Sequence, residues 1–437
     1  MSRTRGQAAP LFRRLPHGPS GMGREEVARN QRARLYAAMI ESVAEHGYER
    51  TTVARVIALA GVSRRAFYEQ FSSKEDCFLA TYDIVVARAR KQVIDAWQHE
   101  RGWANRMHAA CRALLDHAAQ SPKGARLVLV DSLGIGPRAR ERMQLAGFTF
   151  ERMLGDILHL APDGVEVPPL ATRAIVGGVR HVAFLRMLDH RERELLLITD
   201  EVLDWIDAYR SPAASRLAPV APAPVPHRPP VPAAFLIGED KRARALGSVV
   251  HLTLDEGYAS LTDPQIAEFA GITTEAFHRQ FASKEACYLA VLDEIVGEAR
   301  EAVGRSIEHA GSWPEAVHRA MAELVGYLVT HEALLRIAFV DVFEVGPAMI
   351  ARMTRAIEAV TDLLAAEGPR PLRGPAIASE AVTGAVWGII SGHVSGGRLA
   401  RLPALVDHLT FIVLAPYLGP RPAVKAINRL RRARGTP

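Results

Sequence analysis

The stretch AGVSRRAFYEQFSSKE, from Ala60 to Glu75, occurs a second time as AGITTEAFHRQFASKE, from Ala270 to Glu285. The same offset of 210 residues aligns many positions outside these two stretches. Matched positions include Gly47-Tyr48 with Gly257-Tyr258, Cys77 with Cys287, and Trp103 with Trp313. Self-similarity at one fixed offset indicates a repeat, and each unit is as long as a domain. The sequence therefore predicts two tandem copies of one domain.

The first copy of this stretch predicts two short helices joined by a tight turn. Thr52 can cap a helix that runs from about Val53 to Ala60, because its hydroxyl accepts from free N–H groups. Gly61 follows where a left-handed turn ends the helix at no steric cost to glycine. Ser63 then caps the second helix. A helix, a glycine turn and a helix are the parts of a helix-turn-helix motif.

The second of these helices has an apolar inner face and a polar outer face. Phe67 and Phe71 are four residues apart, so they lie on the same side. The outer surface keeps hydrogen-bonding side chains: Arg64, Arg65, Tyr68 and Gln70. Such side chains on a second helix are typical of a recognition helix that enters the major groove of DNA. The alternative is an ordinary helical corner whose arginines are only solvated.

Lys74 stands in the first turn of the next helix, directly after Ser72-Ser73. A cation at this end opposes the helix dipole, at a cost of about 0.3–1 kcal/mol. A bound phosphate would reverse the sign, since helix N-termini bind anions and lysine neutralises them. The position of Lys74 therefore favours a phosphate contact.

The second copy keeps the inner residues of the motif and changes the outer ones. Arg64-Arg65 become Thr274-Glu275, Tyr68 becomes His278, and Arg55 becomes Gln265. From Thr52 to Lys74 the charges sum to +3, and over the equivalent 262–284 they sum to −1. We expect the second face to bind DNA more weakly, because each lost phosphate contact lowers electrostatic affinity. Alternatively, its polar residues read other bases: Thr262, Thr273, Thr274, His278, Gln280 and Lys284.

Apolar residues recur at helical spacing throughout, and no alternating strand pattern is evident, so we predict an all-α protein. The proline-rich stretch 211–235 reads as a semi-rigid linker. The predicted organisation is a disordered basic arm (1–23), a first head (24–82), a first helical regulatory and dimerisation domain (83–210), the Pro/Ala-rich linker (211–235), a second head (236–292), a second regulatory and dimerisation domain (293–420) and a basic tail (421–437).

The composition excludes several other classes of protein. The 437 residues are 49% hydrophobic and carry a net charge of +6, which suits an anionic partner. Three cysteines cannot form a disulfide framework, so we expect a reducing, cytoplasmic compartment. No secretory signal and no membrane span is expected. The common nucleophile, nucleotide and metal motifs do not occur, so we expect neither an enzyme nor a metal or cofactor site.

The stretch GYERTTVARVIALAGVSRRAFYEQFSSKEDCFLATYD resembles the DNA-binding head of the tetracycline-repressor (TetR) family of bacterial transcription regulators. The resemblance covers about fifty residues strongly and implies a three-helix head followed by a helical ligand and dimerisation domain. It also implies a ligand-responsive repressor that binds a double-stranded DNA operator and a small-molecule effector near the bacterial nucleoid. By matching position, it places these residues at DNA: Thr52, Arg55, Ser63, Arg64, Arg65, Tyr68, Gln70 and Lys74. Tyr68 and Lys74 would contact phosphate, while Arg64 and Arg65 would reach guanine edges.

Heads of this kind act in pairs, one turn of DNA apart. One chain can supply both heads as an intramolecular pseudo-dimer, through the helix pairs 171–188 with 195–209 and 377–394 with 405–418. Small residues there permit close helix approach: Gly177, Gly178, Gly384 and Gly388. A homodimer of two chains stays open as the alternative. So does a second function, a ligand-sensing or adaptor protein of the same fold that does not bind an operator.

Overall fold

The computed structural model describes residues 24–433, except 165–166, 168, 211–216, 218–239, 309, 332–334, 336, 342–348, 350–351, 357–358 and 360–367. Within these ranges all regular structure is helical, which confirms the all-α prediction. The predicted arm (1–23) lies outside the described residues, and so does the predicted linker (211–235) apart from Leu217.

The first repeat begins with a three-helix head. Helix α1 (Arg24–Arg50) is interrupted at Gly47, whose φ is 75°, and is followed by α2 (Val53–Ala60) and α3 (Arg64–Tyr68). The remaining helices are α4 (Lys74–His99), α5 (Trp103–Gln120), α6 (Pro122–Leu129), α7 (Pro137–His159), α8 (Pro169–Leu188) and α9 (Thr199–Asp207). Short 3₁₀ turns lie at Asp131–Gly134 and Glu192–Leu196.

The second repeat begins with an equivalent head. Its head comprises α10 (Lys241–Glu256), a 3₁₀ turn (Tyr258–Ser260), α11 (Asp263–Phe269) and α12 (Thr274–Gln280). The described helices after it are α13 (Lys284–Ile307), α14 (Trp313–Thr330), a π-helical turn (Ile337–Asp341), α15 (Ala378–Ser395), a 3₁₀ turn (Leu399–Leu405), α16 (Val406–Leu418) and α17 (Pro420–Ala433).

The chain divides into two compact units. Unit 1 comprises residues 1–146 and 183–196, and unit 2 comprises residues 147–182 and 197–437. The core of unit 1 lies between the head and α4, where Leu35, Met39, Phe67 and Phe78 are fully buried. The head is thus anchored to the following long helix by shared apolar packing, and its first helix contacts α2, α4 and α6.

Unit 2 contains helices of both repeats, because 147–182 and 197–210 belong to the first. Its largest buried side chains include Trp205 and Tyr209 of the first repeat and Tyr417 of the second. The Tyr209 hydroxyl donates to the Ile412 carbonyl at 3.0 Å, and its ring lies 6.3 Å from that of Phe411. The predicted packing of the two C-terminal helix pairs against each other is therefore present within one chain.

Glycines bring α8 and α15 into backbone contact in this unit. A Cβ added to Gly177 would lie 3.0 Å from the Gly384 carbonyl oxygen and 3.5 Å from the Gly388 Cα. A Cβ on Gly178 would lie 2.4 Å from the Trp205 ring. A Cβ at Gly178 would be closer to its neighbours than real Cβ atoms come, and one at Gly177 would be a tight fit, so the crossing favours glycine, as the small residues in the sequence predicted.

Polar contacts extend the pairing beyond the apolar centre. Asp204 of α9 binds Arg373 at 2.7 Å and accepts from the Gly374 amide at 2.8 Å. Glu201 accepts from the Ala376 amide at 3.1 Å. These bonds satisfy backbone amides of the segment that leads into α15 and join that segment to α9.

The segment predicted as a basic tail, 421–437, is a packed helix over most of its length. Ala423, Val424 and Ile427 of α17 are buried, and α17 packs against α14 and α16. The three arginines at 429, 431 and 432 led to the prediction of a basic tail. The apolar residues of the helix that pack against the protein precede these arginines in the sequence.

One described stretch, Leu399–Leu418, is long and apolar enough to cross a membrane, and 56% of its most apolar window is buried inside the protein. Leu409, Val413 and Leu414 have no exposed surface. Burial of this kind is typical of a core helix in a globular protein.

The glycine crossing predicts a specific sensitivity. Gly384→Ala places a Cβ 2.2 Å from the His181 Cβ, so the helices must separate. We expect the free energy of unfolding to fall by about 1–3 kcal/mol, as for overpacked cores. Urea denaturation followed by circular dichroism measures it.

Gly297→Ala in α13 is the matched control, because no heavy atom lies within 4 Å of the added Cβ. This substitution should raise stability by about 0.5–1 kcal/mol, the ordinary gain from alanine in a helix. Equal effects of the two alanines would contradict the close approach of α8 and α15.

Candidate nucleic-acid interface

The corner between α2 and α3 has the predicted geometry. The Thr52 hydroxyl accepts from the Arg55 amide at 3.2 Å, and the Ser63 hydroxyl accepts from the Ala66 amide at 3.1 Å. Gly61 is left-handed, with φ 59°, and the next amide, that of Val62, donates to the Ile57 carbonyl at 3.1 Å. Each helix end is thus satisfied locally, which fixes the angle at which α3 leaves α2.

Aromatic packing holds α3 in place from below. Phe67 is fully buried, and its ring lies 5.7 Å from that of Phe71. The Phe71 ring in turn lies 5.9 Å from Tyr36 of α1. A five-residue helix cannot form by propensity alone, because helix nucleation is unfavourable. Burial of these rings therefore supplies the stability of α3.

The outer face of α3 carries the predicted row of exposed residues. The Arg65 side chain is 89% exposed, Tyr68 is 47% exposed, and Arg64 is exposed with its guanidinium 5.7 Å from the centre of the Tyr68 ring. Arg65 pairs with Glu69 at 2.9 Å across one helical turn. An exposed pair of this kind contributes about 0–1 kcal/mol, so Arg65 can exchange it for a stronger anion.

Of the other predicted residues in the first head, Thr52 and Arg55 lie exposed at the start of α2. The Arg55 Nη1 lies 3.5 Å from the Arg50 carbonyl oxygen, the outer limit for a hydrogen bond. Ser63 is exposed at the start of α3. These three and the α3 row therefore leave guanidinium and hydroxyl groups accessible to solvent.

Gln70 departs from the expected arrangement. Its Oε1 accepts from the Arg32 Nε at 3.2 Å, and its Nε2 donates to Gln31 at 3.4 Å. The side chain therefore faces α1, apart from the Arg64–Tyr68 row. The position just past the end of α3 explains the difference, since the helical face no longer continues there.

Lys74 has an internal partner that the sequence did not indicate. Its Nζ donates to the Tyr48 carbonyl at 3.0 Å and lies 3.9 Å from the centre of the Tyr48 ring. Lys284 repeats the contact with the Tyr258 ring and carbonyl and donates also to Leu261. This lysine joins the start of the fourth helix to the end of the first. An ammonium has three N–H groups, so the bond to Tyr48 leaves Lys74 able to donate elsewhere.

The expected dipole mismatch at Lys74 is compensated within the same turn. Asp76 follows two residues later, and its carboxylate accepts from the Ser72 amide at 3.0 Å and the Ser72 hydroxyl at 3.2 Å. Carboxylates in a first helical turn are favourable. Asp76 therefore already offsets the charge of Lys74 at this helix end, and no bound phosphate is needed there to balance it.

The second head folds by the same packing. Phe277 is fully buried, with its ring 5.8 Å from Phe281. The Thr273 hydroxyl caps α12 by accepting from the Ala276 amide at 3.1 Å, while Thr262 and Gln265 form a reciprocal cap at α11. The predicted residues Thr273 and Thr262 are therefore bound in caps, and Gln280 and His278 are exposed.

The charge on this second face is negative where the first is positive. Glu275 occupies the place of Arg65 and is fully exposed. Hydrogen bonds from its own amide and from the Thr273 hydroxyl lower the pKa of Glu275, so it remains ionised. Thr274, in place of Arg64, is half-buried.

Asp263 is a candidate functional residue that was not among the residues predicted from the sequence to lie at DNA. Its Oδ1 accepts from the Lys284 amide at 2.8 Å, and its Oδ2 lies 3.7 Å from the His278 Nε2. Asp263 thus connects the starts of α11 and α13 to helix α12. The first head has Val53 at this place, which offers no carboxylate to which the Lys74 amide could donate. The difference between Val53 and Asp263 at equivalent positions is the sequence feature from which this residue could have been identified.

Comparison with known sequences gives two matches along the chain. The profile of the family described as "Bacterial regulatory proteins, tetR family" matches residues 35–81 and again residues 250–291. The two matched segments contain α2–α3 and α11–α12, the two corners described above.

The chain is also similar to curated proteins named nucleoid occlusion factor SlmA. It is 33% identical over 84 residues to that of Pasteurella multocida strain Pm70, covering 19% of this chain and 42% of the relative. It is 27% identical over 130 residues to that of Haemophilus influenzae strain PittGG, covering 30% and 59%. The chain therefore spans about two to three fifths of the length of these relatives.

Two solved structures match part of the chain. The fatty acid degradation regulator FadR of Bacillus halodurans matches with a TM-score of 0.38 and 16% identity, covering 40% of this chain and 94% of that one. A TetR-like transcriptional regulator of Rhodococcus sp. RHA1 matches with a TM-score of 0.33 and 15% identity, covering 43% and 96%.

The geometry separates an anchoring lysine from an exposed arginine. Lys74→Ala removes the bond to Tyr48 and the cation–ring contact, so we expect the free energy of unfolding to fall by about 1–3 kcal/mol. Arg64→Ala removes only surface, and should change stability by less than about 0.5 kcal/mol. Thermal denaturation of both variants measures the difference; equal stabilities would contradict the anchoring role.

Proposed function

We propose, from the premise that the chain belongs to the tetR family of bacterial regulatory proteins, that it is a sequence-specific DNA-binding transcription regulator whose first head makes most of the DNA contact. The observation that carries the proposal is the exposed row of Arg64, Arg65 and Tyr68 on a helix held rigidly from below by Phe67. A rigid support matters because base recognition requires side chains in defined positions.

The residue chemistry suits a recognition helix in the major groove. Arg64 and Arg65 each present a planar fork that can bond guanine O6 and N7 together, the commonest specific contact to DNA. The Tyr68 hydroxyl and the Arg55 guanidinium at the rim suit phosphate oxygens, which position the head on the duplex. Thr52 and Ser63 each retain a hydroxyl hydrogen, since their oxygens act as acceptors in the caps.

The second head is proposed to contribute less to DNA affinity. Its face carries Glu275 in place of Arg65 and Asp263 in place of Val53, and the net charge between equivalent positions falls from +3 to −1. Each phosphate contact that is lost removes about 0.9 from the slope of log affinity against log salt concentration. A carboxylate facing the backbone adds repulsion to that loss.

The pairing helices support an intramolecular pseudo-dimer. Tyr209 and Gly178 of the first repeat contact Ile412 and Ala381 of the second within unit 2, so the surface that would join two chains is occupied by one. We therefore propose that a single chain supplies both heads. Light scattering at working concentration would give the mass of one chain, 47.7 kDa; a mass of two chains would support the homodimer.

We propose further that the output is ligand-responsive repression. Two features support this proposal. The chain matches the family, and each head is followed by a helical segment long enough to hold an effector site. The effector remains to be found by screening small molecules for release of bound DNA. The runner-up function, an adaptor without operator binding, predicts that the full chain does not shift promoter DNA even at low salt.

The asymmetry of the heads gives a direct prediction. Arg64→Ala/Arg65→Ala should weaken binding to promoter DNA by at least about tenfold, since each good arginine–base pair contributes about 1–3 kcal/mol. Thr274→Ala/Glu275→Ala, at the equivalent positions of the second head, should leave binding unchanged or strengthen it. Mobility-shift titrations measure both; equal losses would refute the unequal roles.

The Val53 and Asp263 positions give a second prediction. Val53→Asp should weaken DNA binding by the first head more than Val53→Asn does, because the two side chains have the same shape and differ in charge. The slope of log affinity against log salt concentration should be smaller in magnitude by about 0.9 for Val53→Asp than for Val53→Asn. Affinity titrations across a series of salt concentrations measure the slope.

The reverse change tests the second head. In the Arg64→Ala/Arg65→Ala background, Asp263→Asn should raise residual DNA affinity and increase the salt slope by a similar amount, while the cap at Lys284 keeps an acceptor. If aspartate and asparagine bind equally at both positions, the charge of Asp263 has no part in the difference between the heads.

A further inference from the structure

The C-terminal helix α17 has a face that neither head explains. Its exposed residues include four cations spaced at i, i+4, i+8 and i+11: Arg421, Lys425, Arg429 and Arg432. At 1.5 Å per residue they extend over about 16 Å of the helix. At 3.6 residues per turn they lie within an arc of about 80°. None of the four forms an ion pair with a residue that the structure describes.

A buried ion pair fixes this helix on unit 2. Arg431 lies about 120° around the helix from the middle of the arc of the four cations. It bonds the Asp407 carboxylate, which also bonds His318 Nε2 at 2.9 Å. Asp407 and His318 are almost fully buried. Burial raises the pKa of Asp407, but the bonds from His318 and Arg431 outweigh burial and hold that pKa below its ordinary value. The carboxylate therefore stays ionised and retains Arg431.

The first repeat does not have these four cations, because the equivalent positions 210 residues earlier are Ser211, Ser215, Pro219 and Pro222. The stretch that follows α9, 211–235, is rich in proline and alanine and contains only Arg216 and Arg228 as permanently charged residues. The cationic face is therefore an addition to the second repeat, outside the family match at 250–291. It cannot be explained as part of the repeated fold.

We propose that the exposed face of α17 (the cationic face, Arg421, Lys425, Arg429 and Arg432) is a second nucleic-acid surface, which binds the phosphate backbone of duplex DNA without reading sequence. The four cations extend over about 16 Å, and one DNA strand has about five phosphates along the same length. The cationic face contains no large aliphatic or aromatic side chain, because Val424 and Ile427 are buried against the protein and Leu430 lies about 100° around the helix from Arg429, outside the arc.

The missing apolar side chains decide between anionic partners. A helix that binds a membrane surface inserts aromatic or large aliphatic residues below the headgroups, and a protein interface usually centres on such residues. Neither group is present on the cationic face. A polyphosphate backbone needs only the charges and releases its counterions on binding. The inference relies on the proposed function only for the identity of the polyanion.

The test uses the full chain and a duplex of random sequence, which removes the contribution of base recognition. Replacing all four cations with glutamine should reduce the salt slope by about 2–4 units, because up to four phosphate contacts are lost. Glutamine is a good helix former, and Arg431 remains to hold the helix. The matched control, lysine at 421, 429 and 432, keeps the charges and should keep the slope.

The same measurements in the Arg64→Ala/Arg65→Ala background separate this inference from the proposed function. If the first head makes no contribution to DNA binding, the double variant does not change DNA affinity, and this result does not depend on α17. The inference is overturned if the glutamine variant, with circular dichroism unchanged, loses less than about one unit of slope. It is also overturned if that variant keeps its DNA slope and instead loses binding to vesicles of phosphatidylglycerol.

Discussion

Burial of one phenylalanine pair under α3 and of another under α12 is the constraint on which the rest of this protein depends. Helix α3 has five residues, too few to be stable in isolation, and its orientation comes from Phe67 and Phe71 packing below it. The same holds for Phe277 and Phe281 under α12. With the inner face committed to packing, the outer face is free to carry whichever side chains the partner requires.

This separation of inner and outer faces explains how two copies with one fold can differ in charge. The phenylalanines, the glycine turn and the capping hydroxyls recur in both heads, so both corners close in the same way. Arg64, Arg65 and Glu275 of the outer faces are exposed, and substitutions at exposed positions cost little stability. Asp263 shows that the divergence extends beyond α12, since it ties Lys284 and His278 to the start of α11.

The contact between the repeats follows a different principle, that of backbone proximity. Gly177, Gly178 and Gly384 let α8 and α15 approach until a single added carbon would collide with Trp205 or His181. Close approach of this kind brings Tyr209 within reach of the Ile412 carbonyl. The surface is thus both apolar and polar, and it joins parts of the sequence more than 200 residues apart.

The sequence by itself determined the features that depend on local spacing. The 210-residue offset predicted two copies, the caps and Gly61 predicted the corner, and the glycines of α8 and α15 predicted a close helix crossing. Arg64, Arg65 and Tyr68 were placed correctly on an outer face because helical periodicity alone assigns faces. Segments such as 1–23 and 211–235 were assigned from composition, and those assignments remain predictions.

Only the tertiary structure decided which distant groups become partners. Lys74 bonds a carbonyl 26 residues away, Gln70 turns to α1, and Arg431 bonds a carboxylate on α16. The physical reason is that periodicity reports which side of a helix a residue occupies, whereas a hydrogen bond depends on what another part of the chain brings to that side.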